Sequence, residues 1–132
     1  MNIIICLDDK NGIQFNKRRQ SKDSVLCDRI LDLIKDNTLW MNEYSSKMFS
    51  SDNIKVNNDF LSLANDSDYC FVENNDFLSY LDRLEKVIVY RWNKVYPSDM
   101  KVDTNFLNGK QLISSIDFKG SSHERITEEI YE

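Results

Sequence analysis

The chain has 132 residues, 41% hydrophobic and 30% charged, with a formal charge of −5 and an isoelectric point near 4.9. That length supports one domain with its own core, no apolar stretch reaches the ~18 residues a spanning helix needs, and the acidic balance makes nucleic acid an unfavourable partner. The N-terminus shows neither a basic n-region nor a small-residue cleavage site, so a cytoplasmic location is expected. Three scattered cysteines, Cys6, Cys27 and Cys70, read as reduced core thiols.

Ile3-Ile4-Ile5-Cys6-Leu7 predicts a buried first strand. Asp8-Asp9-Lys10-Asn11-Gly12 then predicts a tight polar turn with Asn-Gly at its tip, Gly12 supplying a positive φ. A basic, polar loop over Gln14–Lys22 contains Lys17-Arg18-Arg19. Ser21 or Asp23 caps a helix to about Asp36, whose Leu26, Ile30, Leu33 and Ile34 share one face with Asp23, Asp28 and Asp32 opposite. Thr38–Met41 reads as a short buried strand, and Glu43–Phe49 as a short helix.

Ile54–Val56 reads as a weak strand, with a helix capped by Asn57 or Asn58 and running to about Ala64. Asp68–Val72 is rich in aromatic and β-branched residues and reads as a strand. A helical turn follows over Asn74–Leu81, and Lys86–Trp92 is the strongest strand. Gln111–Phe118 and Ser122–Tyr131 form a closing hairpin across Lys119-Gly120-Ser121, with a helix over 124–131 as the rival reading. The expected fold class is α/β: a single domain with a mixed, mainly parallel sheet, short helices and a C-terminal antiparallel hairpin.

Several polar groups are candidates for a site. Arg18 and Arg19 can make forked contacts to an anion, or offset nearby acids on a solvated loop. Asp8 and Asp9, at the carboxyl end of the first strand, can accept from a ligand or simply form the turn. Asn42, Tyr44 and Ser45 lie where a strand gives way to a helix, a place suited to phosphate, with Tyr44 available for stacking. Arg91 and Trp92 point to opposite faces of their strand, one toward surface acids and the other toward the core. His123 could serve as an acid–base group, but it has no serine in an elbow context and no reactive cysteine beside it in sequence, so a catalytic triad is unsupported and a hydrogen-bonding role in the hairpin is expected.

The order of elements resembles the dihydrofolate reductase superfamily. The segments that carry the likeness are IIICLDDKNGI, QSKDSVLCDRILDLIK, TLWMNEYSSKMF, LDRLEKVIVYRWNKVYPSDMKVDTNF and GSSHERITEEIYE. The resemblance implies that Asp23 is the family's acidic residue at the start of the first helix, a candidate for acid–base work. It also implies NADPH as cofactor. Against that, the family's paired-glycine turn after its fifth strand reads Phe71-Val72-Glu73-Asn74-Asn75 here. The glycine after TLWM is Asn42, and FNKRRQSKD lacks the covering loop's tryptophan. The chain also resembles a family of small proteins from Gram-positive bacteria sharing CLDDKNG, FNKRRQS, LWMNEYS and YRWNKVYP, a bacterial setting that the Asn-, Lys- and Ile-rich composition matches. Some of its members carry the label ribonuclease Z. A single histidine cannot build that enzyme's two-zinc centre, so no metal is expected.

The reading that follows is a binding protein for a small anionic ligand or a protein partner, without cofactor. Its pocket would lie between the Asp8–Ile13 turn, the Phe15–Ser21 loop, Asp23 and Asn42–Ser46. Three alternatives remain: a divergent NADPH-dependent reductase of a small heterocycle, an immunity protein or phage-encoded inhibitor, and, against the charge, an RNA binder using the arginine loop.

Overall fold

A computed structural model describes all residues, Met1–Glu132. Ten strands, β1 (Asn2–Leu7), β2 (Gly12–Phe15), β3 (Arg18–Arg19), β4 (Leu39–Met41), β5 (Ile54–Val56), β6 (Tyr69–Phe71), β7 (Lys86–Arg91), β8 (Met100–Lys101), β9 (Leu112–Phe118) and β10 (Ile126–Tyr131), alternate with α1 (Ser24–Ile34), α2 (Glu43–Ser46) and α3 (Phe60–Leu63). Two 3₁₀ helices span Asp76–Arg83 and Thr104–Gly109.

Seven strands form one sheet in the order β5-β4-β6-β1-β7-β10-β9. The first five run parallel, while β10 pairs antiparallel with both β7 and β9. The mixed α/β class and the terminal hairpin are as the sequence predicts. The helix alternative for 124–131 fails because Ile126, Glu128 and Ile130 alternate along β10 with Thr127 and Glu129, a period of two that a helix cannot satisfy.

β1 is covered on both faces, which is why it reads as an unbroken apolar run. Met1, Ile3, Ile5 and Leu7 point with Val87 and Val89 into one core, beside Phe60, Phe77 and Leu107. Ile4 points with Ile88, Tyr90 and Trp92 into the other, where α1 presents Leu26, Ile30 and Ile34. Each of these aliphatic side chains contributes up to about 1.5–3 kcal/mol by leaving water.

The sequence misses a second, three-stranded sheet, β3-β2-β8. The predicted Gln14–Lys22 loop is largely a hairpin, with Phe15 opposite Arg18. Asn16 and Lys17, at φ 52 and 60, form its two-residue turn, the left-handed geometry that matches the twist of the strands. The local signal was a lone Asn with no glycine.

Gly12 is also not where a positive φ is needed; that falls to Asn11, at φ 62. Gly12 is required by close approach instead. A Cβ there would sit 2.6 Å from both Gln20 Nε2 and Ser98 Oγ, and Gly12 N donates to the buried Asp8 carboxylate at 2.8 Å. Gly12→Ala should cost about 1–3 kcal/mol by overpacking, read as a lower urea midpoint; an unchanged midpoint would refute the close-approach argument.

Candidate functional site

The carboxyl ends of the parallel strands converge on one edge of the sheet, where ligands bind in open α/β folds. Asp8 follows β1, Asn42 follows β4, Glu73 lies just beyond β6 and Trp92 follows β7. The β2–β3 hairpin brings Arg19, Gln20 and Ser21 over this edge, and the β9–β10 connection brings His123 to it.

Asp23 caps α1, its Oδ1 accepting from Leu26 N at 3.1 Å and Ser121 N at 2.9 Å. Its Oδ2 accepts from Ser122 N at 2.9 Å and from His123 Nδ1 at 3.0 Å. The sequence places Asp23 on the solvent side of α1; it is 3% exposed, because the closing hairpin folds over the cap. Burial opposes its ionisation, but the hydrogen bonds from His123, Ser121, Ser122 and Leu26 outweigh that and hold the carboxyl well below the usual carboxylate range. Gly120 makes the approach possible: a side chain there would meet the Asp23 carboxylate, with Cγ at 2.8 Å.

His123 is buried, stacked on Trp92 with ring centroids 4.5 Å apart. Because Nδ1 faces a carboxylate, it carries the proton and Nε2 accepts. Two hydroxyls reach Nε2, Ser21 Oγ at 3.1 Å and Tyr96 Oη at 2.9 Å.

A second network lies across the cleft. Arg19 makes a bidentate pair with Glu73, Nε to Oε2 at 2.9 Å and Nη2 to Oε1 at 3.0 Å. Glu73 Oε1 also accepts from the buried Ser45 hydroxyl at 2.6 Å. The Arg19 guanidinium lies over the Tyr44 ring at 4.2 Å, and Arg19 N donates to Tyr44 Oη at 3.1 Å. Asn42 caps α2 by accepting from Ser45 N at 2.8 Å.

The remaining candidates are dispersed. The Asp8 carboxylate is buried in its own turn. Burial would raise it, but donors on Gly12, Tyr96, Lys10 and Gln20 hold it below its ordinary value. Asp9 and Arg18 are exposed, and Arg18 forms no ion pair. Arg91 pairs with Glu129 at 3.0 Å and Trp92 is buried, as expected. No three His, Cys, Asp or Glu side chains converge as a metal site.

Between the two networks lies a cavity of about 20 Å³, lined by Ser21, Asp23, Leu26, Phe49, Phe71 and Trp92 among others. That is room for one water molecule, far below the roughly 300 Å³ of the smallest ordinary ligand sites. Cys6 and Cys27 also line it; burial pushes the Cys27 thiol up to about 11 and Cys6 well above its usual value. Neither is a thiolate at neutral pH.

The chain superposes on dihydrofolate reductase from Enterococcus faecalis, solved with NADP(H) and RAB-propyl, with a TM-score of 0.71 over 99% of this chain and 94% of that one, at 9% identity. The fold is dihydrofolate-reductase-like. No protein-family profile matches the sequence, and no curated protein does either. At that identity the likeness establishes architecture alone, and nothing supports the ribonuclease Z label. No helix is long and apolar enough to cross a membrane.

On this dihydrofolate-reductase-like frame, sequence reasoning placed Asp23 and the arginine hairpin beside the cleft but missed two residues that shape it. Glu73 reads in sequence only as a misfit in a turn, and Ser21 as a possible cap and the end of the Phe15–Ser21 loop, with nothing to pair it with His123. The cleft is also lined by Met48 and Phe49, just beyond α2.

Proposed function

We propose that this chain is a binding protein on a dihydrofolate-reductase-like fold, taking a small anionic ligand or a protein partner at the mouth of the cleft, and not a nicotinamide-dependent reductase. The observation that carries this reading is the Glu73 carboxylate, buried beyond β6 and bonded to Arg19 and Ser45. A pyrophosphate at that place needs close backbone approach and positive potential. Val72–Asn75 offers side chains at every position and a carboxylate that already engages Arg19, so these residues do not fit the dinucleotide. Arg19 is neutralised by Glu73, which leaves Lys17 and Arg18, exposed at the hairpin tip, as free cations for an anionic partner.

Titration with NADPH, followed by calorimetry and thermal shift, tests the reading directly. Neither binding heat nor a thermal shift is expected up to millimolar NADPH. Micromolar binding would overturn the proposal and put the reductase alternative in the lead.

A further inference from the structure

We propose that Ser21, His123 and Asp23 form a nucleophile–base–orienter relay that hydrolyses short-chain carboxylic esters. The three residues lie in the required order: Ser21 Oγ is 3.1 Å from His123 Nε2, and His123 Nδ1 is 3.0 Å from Asp23 Oδ2. The carboxylate is fixed by three backbone N–H groups as well as by the imidazole, so it selects the tautomer that leaves Nε2 free to accept. Stacking on Trp92 holds the ring plane.

Ser21 is half-buried and lines the one-water cavity, and a neighbouring open groove, lined by Lys22, Lys47 and Ser122 but not by Ser21 or His123, shares Asp23 and Cys27 with it; the ester carbonyl takes the place of that water. Ser21 Oγ, 3.1 Å from His123 Nε2, is the hydroxyl of the cavity lining that the base reaches. The backbone N–H of Lys22, the residue after the nucleophile, makes no hydrogen bond within the protein and is available to a developing oxyanion.

In the first half-reaction Ser21 Oγ bonds to the ester carbonyl carbon as its proton passes to Nε2, and the carbonyl π pair moves to oxygen. Collapse breaks the carbon–oxygen bond to the alcohol, which leaves with the proton from Nε2. Water then adds to the acyl-serine with the same base, releasing the carboxylic acid and restoring Ser21. Tyr96 Oη shares Nε2 and is the competing hydroxyl.

The purified chain is treated with a fluorophosphonate, the adduct is mapped by mass spectrometry, and hydrolysis of 4-nitrophenyl acetate is followed in parallel. The expected result is an adduct on Ser21. Labelling and hydrolysis should fall about 100-fold or more in Ser21→Ala, as expected for loss of a base-activated nucleophile, with the melting temperature retained. His123→Gln, confirmed folded by circular dichroism, should fall comparably. An adduct on Tyr96 or another serine, no adduct at all, or wild-type hydrolysis in Ser21→Ala would overturn the assignment.

Discussion

Asp23→Asn should lower the stability of the protein by about 2–4 kcal/mol, the cost of leaving buried donors unpaired. The amide cannot accept on both sides. If its oxygen keeps the Leu26 and Ser121 N–H groups, its NH₂ faces the N–H of Ser122 and the Nδ1–H of His123. The cap of α1 and the anchor of the closing hairpin are then strained together. Urea unfolding followed by tryptophan emission measures the loss, and a change under about 0.5 kcal/mol, the range of ordinary surface substitutions, would contradict this account.

The same residue sets an acid limb. The folded pKa of Asp23 is depressed below its unfolded value, near 4 for an aspartate, so its contribution is complete above that pH. The contribution is lost as pH falls from there toward the folded pKa. Asp8 is depressed in the same direction by its own turn. Stability should therefore fall progressively below about pH 4, and Asp23→Asn should flatten the limb while leaving a residual slope from Asp8. An acid limb of wild-type steepness in the variant would rule out Asp23 as its source.

Glu73→Ala should be the other strongly destabilising change. It strands the Arg19 guanidinium, whose side chain is 19% exposed, and removes the acceptor of the buried Ser45 hydroxyl. Breaking a buried pair from one side costs about 3–5 kcal/mol, and the partial exposure of Arg19 brings the expectation to about 2–3 kcal/mol. Arg19→Ala together with Glu73→Ala should cost less than the sum of the two single changes, because the double variant leaves no orphaned charge. Strict additivity in that cycle would show that the pair does not act as a unit.

These two networks mark the boundary between what was legible in the sequence and what was not. The unbroken apolar run of β1, the helical face Leu26, Ile30 and Ile34, the Asp23 cap, the strands Tyr69–Phe71 and Lys86–Arg91 and the closing hairpin are all readable from neighbours a few residues apart. Periodicity and capping are local effects, and they were enough to indicate the α/β class. The β2–β3 hairpin escaped because its left-handed turn is made by Asn16 and Lys17 with no glycine to announce it. Tertiary structure alone paired Arg19 with Glu73 across 54 positions, His123 with Asp23 across 100 and Ser21 with His123 across 102. Such contacts depend on which strand ends the sheet order brings to one edge and on the direction each donor faces there. Neither property is carried by the spacing of residues along the chain.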